Sequence, residues 1–478
     1  MLRKSVMALA VSATLGLSHA ADAATEDDLK DLREQVRQLK ELYQKRIEAL
    51  ESRLQQAERS VGKAEATASK AETTANQAAV QASSRPTGEN ALNPAVSLVL
   101  NGIYSNLSQD PNGFRINGFV PTMGEVGPPQ RGLSLGESEL AISANIDPYF
   151  RGTLIAALAP DDSIAVEEGF IQTIGLAEGW TRGLTIKAGR FRSGVGYLNE
   201  IHPHAWDFAD APLASKVFLG GALAEDGIQF KWIAPTDLYL DIGLELGRGR
   251  GFPAGPEGGR NKNGFATGTL FAHAGGDLGA GAAWRLGLSH LRTSPQDRIY
   301  EDLDSTGTTV SNSLSGRSRL WALDGILKWA PNRNATSTNF TLQGEYFRRS
   351  EDGSLTYDTG AASLGMQTGG FASRQSGWYL QGVYQFVPQW RAGYRHDKLN
   401  SGTTGLGLVD SGALTAADFP ILAKYGPRRN TLMLDWSPSE FSRIRLQFAR
   451  DTSRRGATDN QVLLQYIMNL GAHGAHKF

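Results

Sequence analysis

The sequence predicts an all-β transmembrane protein, an antiparallel barrel of about 16 strands that is preceded by an N-terminal α-helical coiled coil. Three observations predict this fold class. The 478-residue chain opens with an export signal, its apolar residues then recur every three or four positions, and from about residue 92 to the end they recur every second position. A spacing near 3.5 is typical of a coiled coil, and a spacing of 2 is typical of strands with one apolar and one polar face.

The composition excludes several classes of protein. A net charge of −1 argues against a polybasic nucleic-acid binder, so no nucleic-acid partner is expected. Beyond the N-terminus there is no apolar run of about 18 residues, which excludes an inner-membrane helical protein. The chain has no cysteine, and this excludes disulfide scaffolds, thiolate metal sites and cysteine nucleophiles.

Residues 1–23 are predicted to be a cleaved signal peptide. Arg3 and Lys4 precede an apolar stretch at 6–17, and small residues at 21 and 23 match a cleavage site. The apolar stretch is shorter than the roughly 20 residues that a membrane-spanning helix needs. We therefore expect the mature chain to be exported.

Residues 25–62 are predicted to form a periplasmic coiled coil. Spacings of three and four alternate along them, with one extra four between Tyr43 and Ile47, which indicates heptads with a single stutter. A lone amphipathic helix is the alternative, but so narrow an apolar seam buries little unless it meets copies of itself. Residues 63–91 are rich in Ala, Ser and Thr, and we interpret them as a linker. The apolar positions of the seam are Leu29, Leu32, Val36, Leu39, Tyr43, Ile47, Leu50, Leu54, Ala57 and Val61.

Residues 92–478 are predicted to form the barrel itself. Strands of about ten residues with one apolar and one polar face suit a wall that meets lipid outside and water inside. Connections alternate between short turns and long polar loops, and an even strand count puts both barrel ends in the periplasm. The predicted strands are 95–107, 135–146, 149–158, 164–174, 182–192, 226–234, 237–248, 265–274, 281–292, 317–330, 338–349, 376–387, 389–398, 429–437, 441–451 and 459–470.

A small repeat indicates where the membrane ends. Four predicted strands close with an aromatic residue, Trp232, Trp329, Phe386 or Trp436, and a proline follows within three residues. Aromatic girdles lie at headgroup depth in barrels, and proline ends a strand ladder. A soluble β-sandwich would not need this regularity. The sequence therefore predicts a protein of the Gram-negative outer membrane, surrounded by its lipid.

Two stretches carry a resemblance to known porins: Leu133–Leu140, and Lys187–Gly196 with its Gly-Arg-Phe strand end. The second resembles the phosphate-selective porin superfamily, and the whole layout, coiled coil included, resembles DcaP-like porins. This resemblance implies a sixteen-stranded homotrimeric porin that favours small anions, with a third external loop that narrows the pore. Residues 199–213 are also similar to outer-membrane proteins labelled as zinc-regulated receptors.

The third external loop, predicted at 193–225, carries the candidate constriction residues. In one interpretation they line the pore and hydrogen-bond the loop to the wall. In the other, His202, His204 and Asp207 turn toward one point and bind a borderline cation such as zinc. We favour the first interpretation, and no other cofactor is expected. The predicted constriction residues are His202, His204, Trp206, Asp207 and Asp210.

Charged side chains are predicted along the pore wall. Four arginines cluster on the late strands, so one side of the lumen is expected to be positive and to steer anions. Alternatively, each charge is paired with a neighbour and the field is small. The predicted wall residues are Arg391, Arg395, Arg443, Arg445, Lys187, Glu137, Glu139, Asp241 and Glu245.

These features favour a porin through which small hydrophilic solutes diffuse, with modest anion preference. No Ser or His setting suggests a nucleophile with its base, so an enzyme is not expected. An energised receptor needs a globular plug before a larger barrel, and heptads occupy that place. A zinc-linked uptake protein or receptor that uses the loop histidines is the alternative.

Overall fold

The computed structural model describes residues 94–122, 126–160, 163–174, 182–255 and 263–471. The chain divides into two units, Met1–Gly88 and Glu89–Phe478, and every described residue belongs to the second. The predicted signal peptide, coiled coil and linker lie outside the described residues.

Strands dominate the described part of the chain. They are β1 Ala95–Leu107, β2 Gly132–Leu135, β3 Ser138–Asn145, β4 Phe150–Leu158, β5 Ile164–Thr173, β6 Leu184–Arg192, β7 Ala224–Ile233, β8 Tyr239–Gly247, β9 Thr267–Asp277, β10 Ala282–Thr293, β11 Arg298–Leu303, β12 Thr309–Trp329, β13 Asn339–Tyr357, β14 Gln367–Val387, β15 Trp390–Leu406, β16 Arg428–Ser439, β17 Ser442–Asp451 and β18 Asp459–Gly471. Within the described ranges, two short α-helices span Leu213–Leu219 and Gly407–Asp410. Short 3-10 helices span Pro111–Gly113, Leu198–Glu200, Pro203–Ala205, Ala416–Asp418 and Pro420–Leu422.

The strands form one closed antiparallel sheet. Most strands pair with the next along the chain, and β1 pairs with β18 to close the barrel. β2 and β3 both pair with β1, and β10 and β11 both pair with β12, so each of these two pairs fills one position of the wall. The barrel therefore has sixteen positions, and the predicted strand number is confirmed.

Four strands are much longer than predicted. β12 and β14 have 21 residues, β13 has 19 and β15 has 17. Because about 9–11 residues of a tilted strand cross a bilayer, these ladders continue well beyond it. The predicted loops 293–316, 350–375 and 399–428 thus consist partly of strand.

The outer face of the barrel is apolar. Large apolar side chains such as Leu244, Leu288 and Leu432 stand exposed on it, where lipid takes the place of water. Trp232 and Trp329 are exposed at the C-terminal ends of their strands, where the aromatic girdle was predicted. None of the described helices is long and apolar enough to cross a bilayer. The chain is an outer-membrane barrel, and the predicted location is confirmed.

One connection folds into the barrel. Residues 193–223, the inner loop, join β6 to β7 and include the helix Leu213–Leu219, all of whose residues are buried. Phe218 of this helix stacks on Phe347 of β13, with ring centroids 5.7 Å apart. Tyr379 of β14 belongs to the same buried cluster. This apolar patch on the inner wall packs the helix against β13 and β14, and so positions the rest of the loop.

Candidate functional site

The inner loop begins on two buried carboxylates of the wall. Glu245 of β8 accepts hydrogen bonds from the Ser193 hydroxyl and from the Gly194 amide, at 2.5 and 2.9 Å. Glu345 of β13 accepts from the amides of Tyr197 and Leu198, at 2.8 and 2.6 Å. These acceptors satisfy the amides of a chain that has left its sheet. Glu245 and Glu345 thus fix the first residues of the loop along the inner wall, from β8 to β13.

A single asparagine joins the two ends of the inner loop. The Asn199 amide nitrogen donates to the carbonyls of Ser193 and Leu223, at 2.7 and 2.9 Å. Its amide oxygen accepts from the Leu223 amide at 2.7 Å. Asn199 is buried, so these bonds face little competition from water. The loop is thereby closed at its base.

The two predicted histidines lie in a pocket of carboxylates. The Nδ1 atom of His202 is 2.9 Å from Glu139 and 3.1 Å from Glu167, and its Nε2 atom is 3.1 Å from Glu168. The Nδ1 atom of His204 is 3.0 Å from Glu139. Burial lowers the pKa of His202, but the contacts with the three carboxylates outweigh burial and raise it to about 10. His202 is therefore an imidazolium at neutral pH.

A β-bulge explains why two consecutive glutamates share this pocket. Ile155 of β4 pairs with Glu168, and the next residue, Ala156, pairs with Val166. Glu167 is the extra residue, and a bulge re-aims side chains that would otherwise alternate between the two faces. If the side chains alternated strictly, one of the two glutamates would point into lipid. The sequence pattern therefore did not identify either of them as a pore-wall residue.

Arg192 closes the pocket from β6. Its guanidinium lies 2.8 Å from Glu167, and its backbone amide donates to Glu168 at 2.9 Å. The same guanidinium donates to the Ile201 carbonyl of the inner loop at 3.1 Å. Sequence reasoning missed this residue because it directly follows the recognised Gly-Arg-Phe strand end, where alternation breaks down. Arg192 thus links the wall to the histidine segment.

Asp207 docks on the opposite wall. Its carboxylate lies 2.8 Å from the guanidinium of Arg391 on β15. Arg391 also binds Asp435 of β16 through two nitrogens, at 2.6 and 3.0 Å. The guanidinium thus bridges an aspartate of the loop and an aspartate of the wall. Such bidentate pairing holds a guanidinium in one orientation.

Asp210 is surrounded by cations. Its carboxylate lies 3.0 Å from Arg395 and 3.7 Å from Lys216, and it also forms an ion pair with Arg429. Gln447 donates to it at 2.9 Å. Burial raises the pKa of Asp210, but Arg429 and Arg395 outweigh burial and hold it well below its usual range. Burial lowers the pKa of Lys216 to about 8, although Asp210 opposes that change.

The remaining predicted arginines also hold the inner loop. Arg445 and Arg443 of β17 donate to the Trp206 carbonyl, at 2.7 and 3.3 Å. The Arg395 guanidinium lies 4.8 Å from the ring centroid of Phe208, a cation–π contact. The predicted cluster therefore exists, but its charges are engaged by the loop and by neighbouring carboxylates, as the alternative of paired charges proposed.

The predicted metal triad is not assembled in this structure. His202 and His204 lie near one another, with ring centroids 5.9 Å apart, but Asp207 pairs with Arg391 instead. Within the described part of the chain, the potential metal-ligand atoms that lie within 4.8 Å of one another belong to Glu139, Glu167 and His202. The triad is thus corrected: the loop crosses the lumen between the histidines and the aspartate, and the carboxylates near the histidines come from the wall.

The other predicted wall residues take up structural contacts. Asp241 lies 2.9 Å from Lys231 and 2.6 Å from the buried His273. The Lys187 ammonium lies 4.4 Å from the ring centroid of Phe170. Glu245 anchors the start of the inner loop, as described above. Glu137 lies between β2 and β3, with its Oε1 atom buried and without a hydrogen-bond partner.

Comparison with solved structures returns outer-membrane barrels. The loop-deleted OmpT of Vibrio cholerae aligns at a TM-score of 0.47 and 10% identity, over 79% of this chain and 99% of that one. DcaP of Acinetobacter baumannii aligns at 0.45 and 11%, over 79% and 97%. The anion-selective porin from Comamonas acidovorans aligns at 0.46 and 10%, over 79% and 99%. At such identities, no property of those proteins is carried over to this chain.

Comparison by sequence finds one informative relative. No family model matches the chain. An uncharacterized protein of Aquifex aeolicus is 30% identical over 378 residues, which cover 73% of this chain and 71% of the relative. At that identity and coverage, the chain belongs to the same family as this Aquifex aeolicus protein.

Proposed function

We propose that the protein is a porin, a non-enzymatic channel through which small hydrophilic solutes diffuse across the outer membrane. The observation that carries the proposal is the division of the lumen. The inner loop fills the side next to β13–β17, while several inward side chains of β4–β6 are polar and reach water: Arg151 is exposed, and Thr153, Gln172 and Thr185 are half-buried. A polar, water-filled passage beside a loop is what diffusion of small solutes requires.

The predicted constriction residues fit this function. We propose that the segment from His202 to Asp210, with Trp206 and Asp207 between them, forms the narrowest part of the passage. It crosses the lumen from the carboxylates of β3 and β5 to the arginines of β15–β17. His204 faces the same passage. Because this segment is anchored on both walls, it should keep the cross-section of the passage constant.

A modest anion preference is the second part of the proposal. Within the arginine cluster, Arg391 and Arg443 have side chains that are 20% and 25% exposed, whereas the side chain of Asp435 is fully buried. Arg151 is exposed on the other wall. Near the arginine cluster the water-facing charge is thus mainly basic, although Asp207 is also 20% exposed. Such a field concentrates anions in the passage.

Liposome swelling tests the channel directly. Proteoliposomes should swell in sugars and amino acids at rates that fall with solute size, and reversal potentials in a salt gradient should indicate weak anion preference. Swelling no faster than that of empty liposomes would refute a porin. Cation preference would refute only the anion part.

We further propose that the mature chain is a DcaP-like homotrimer, held by a coiled coil at 25–62 and by contacts between barrels from 92–478. Residues 1–23 would be removed as a signal peptide, and 63–91 would link the two parts. Truncation of residues 24–91 should weaken the trimer in native mass measurements. An unchanged trimer would refute the role of the coiled coil.

A zinc-linked uptake function is the second candidate. The observation that favours it is the group of Glu139, Glu167 and His202, whose potential ligand atoms lie within 4.8 Å of one another. Zinc-dependent accumulation in cells that express the protein would support it, and accumulation equal to that of cells without the protein would exclude it.

A further inference from the structure

The pocket around His202 is rich in carboxyl groups. Four of them, those of Glu137, Glu139, Glu167 and Glu168, meet there, and Arg192 and His202 are among the side chains that contact them. Buried charges of one sign need compensation, and a divalent cation can supply it.

Two buried atoms of the pocket lack a hydrogen-bond partner. One is Nδ1 of His202, because the carboxylate oxygens at 2.9 and 3.1 Å are not aligned with its N–H. The other is Oε1 of Glu137. Buried polar atoms are nearly always satisfied, so an Nδ1 atom that lies beside two carboxylates without a hydrogen bond to either is a position where a further ligand could bind.

The donor types and distances select the class of ion. An imidazole with carboxylates suits borderline cations such as Zn²⁺, whereas Ca²⁺ and Mg²⁺ prefer oxygen donors alone. Tetrahedral donors at the usual bond length of about 2.0–2.1 Å are about 3.3 Å apart. Nδ1 of His202 is already 2.9 Å from Glu139 and 3.1 Å from Glu167, so these two distances need to grow by only a few tenths of an ångström.

The surroundings hold these donors in place. His204 contacts the second oxygen of Glu139 at 3.0 Å, and Arg192 contacts Glu167 at 2.8 Å. Second-shell partners of this kind orient metal ligands. The side chain of His202 is 13% exposed and that of Glu167 is 18% exposed, so the lumen offers an entry path.

We infer that Glu139, Glu167 and His202 form a binding site for one borderline divalent cation of the Zn²⁺ type, which ties the inner loop to β3 and β5. The site deepens the second candidate function by naming its ligands. Binding is measured without transport, so the inference stands or fails separately from the channel function.

Isothermal titration of the purified full-length protein with ZnCl₂ tests the site. The two histidines near the end of the sequence are first replaced, His473→Ala and His476→Ala, so that they cannot contribute to Zn²⁺ binding. We expect one ion per chain, and no detectable binding would overturn the site.

Variants decide which side chains bind. His202→Asn and Glu139→Gln should each weaken Zn²⁺ binding at least 10-fold, whereas Asp207→Asn, at the position predicted from the sequence, should leave it unchanged. His396→Ala is the matched control, because His396 lies on β15 and is hydrogen-bonded to Asn430 of β16 at 2.8 Å, and so it is not part of this pocket. Folding of each variant is checked by heat-dependent gel mobility.

Two further outcomes would overturn the inference. One is an affinity for Zn²⁺ that is equal in the parent, the His202→Asn variant and the Glu139→Gln variant. The other is stronger binding of Ca²⁺ than of Zn²⁺. If a variant does not fold, Glu167→Gln, which keeps the size of a partly exposed side chain, takes its place and the same comparison applies.

Discussion

Removing the charge of Asp210 should release the far end of the inner loop from the wall. The substitution Asp210→Asn keeps the size of the side chain and leaves three cations, Arg395, Arg429 and Lys216, without the carboxylate at their centre. The barrel itself is held by sixteen paired strand positions, so the substitution should act on the loop and not on the sheet.

The magnitude follows from the burial of these groups. Removal of one partner from a buried ion pair costs about 3–5 kcal/mol. Arg395 and Arg429 keep other acidic neighbours, Asp397 at 3.1 Å and Asp451 at 3.9 Å, so we expect the lower end, about 3 kcal/mol. A tenfold change in an equilibrium is about 1.4 kcal/mol, and the ratio of docked to undocked loop should therefore fall roughly 100-fold.

Limited proteolysis and single-channel recording measure this change. The Asp210→Asn loop should be cleaved within 193–223 much faster than the wild-type loop, and its channel should be noisier, while heat-dependent gel mobility stays the same. Asp147→Asn is the matched control, because Asp147 lies in an exposed turn between β3 and β4. Cleavage and noise equal to those of the wild type would refute the assigned role of Asp210.

Three further outcomes are expected. Gly189→Ala should reduce the yield of folded barrel on heat-dependent gels, because Gly189 has φ +127° and an added Cβ would lie 2.3 Å from the Gly169 carbonyl oxygen; an unchanged yield would contradict this. The imidazolium of His202 should stabilise loop docking fully below about pH 6.5, and this stabilisation should be lost as the pH rises through the folded-state pKa of about 10. Protease resistance should therefore fall over that pH range more in the wild type than in the His202→Asn variant, and parallel curves would contradict this. Arg391→Gln should shift the reversal potential toward cations, and no shift would argue against its role in selectivity.

Most of the fold could be predicted because the membrane imposes it. Lipid outside and water inside force alternation along each strand, and β1, β17 and β18 agree with their predicted bounds to within one residue. The outer halves of β12 and β14 were missed because no lipid touches them there, so neither face needs to be apolar. The loop at 193–225 was placed correctly in sequence and differs by two residues at its end.

The contacts of the site were less accessible to sequence reasoning. Asp207 and Arg391 are 184 residues apart, and spacing along a chain cannot show that they touch. Glu167 escaped notice because a bulge breaks the alternation on which the pore-wall list depended. The histidines were found because two imidazoles that are two residues apart stand out in a chain with eight histidines.

The single-channel conductance of a loop-shortened protein tests the central claim most directly. Replacement of residues 195–221 by a short Gly-Ser linker removes the segment proposed as the constriction and leaves the paired strands intact. If the inner loop narrows a water-filled passage, the conductance in planar bilayers should rise severalfold above that of the wild type. Equal conductance, or the absence of channels in the wild-type protein, would contradict the account.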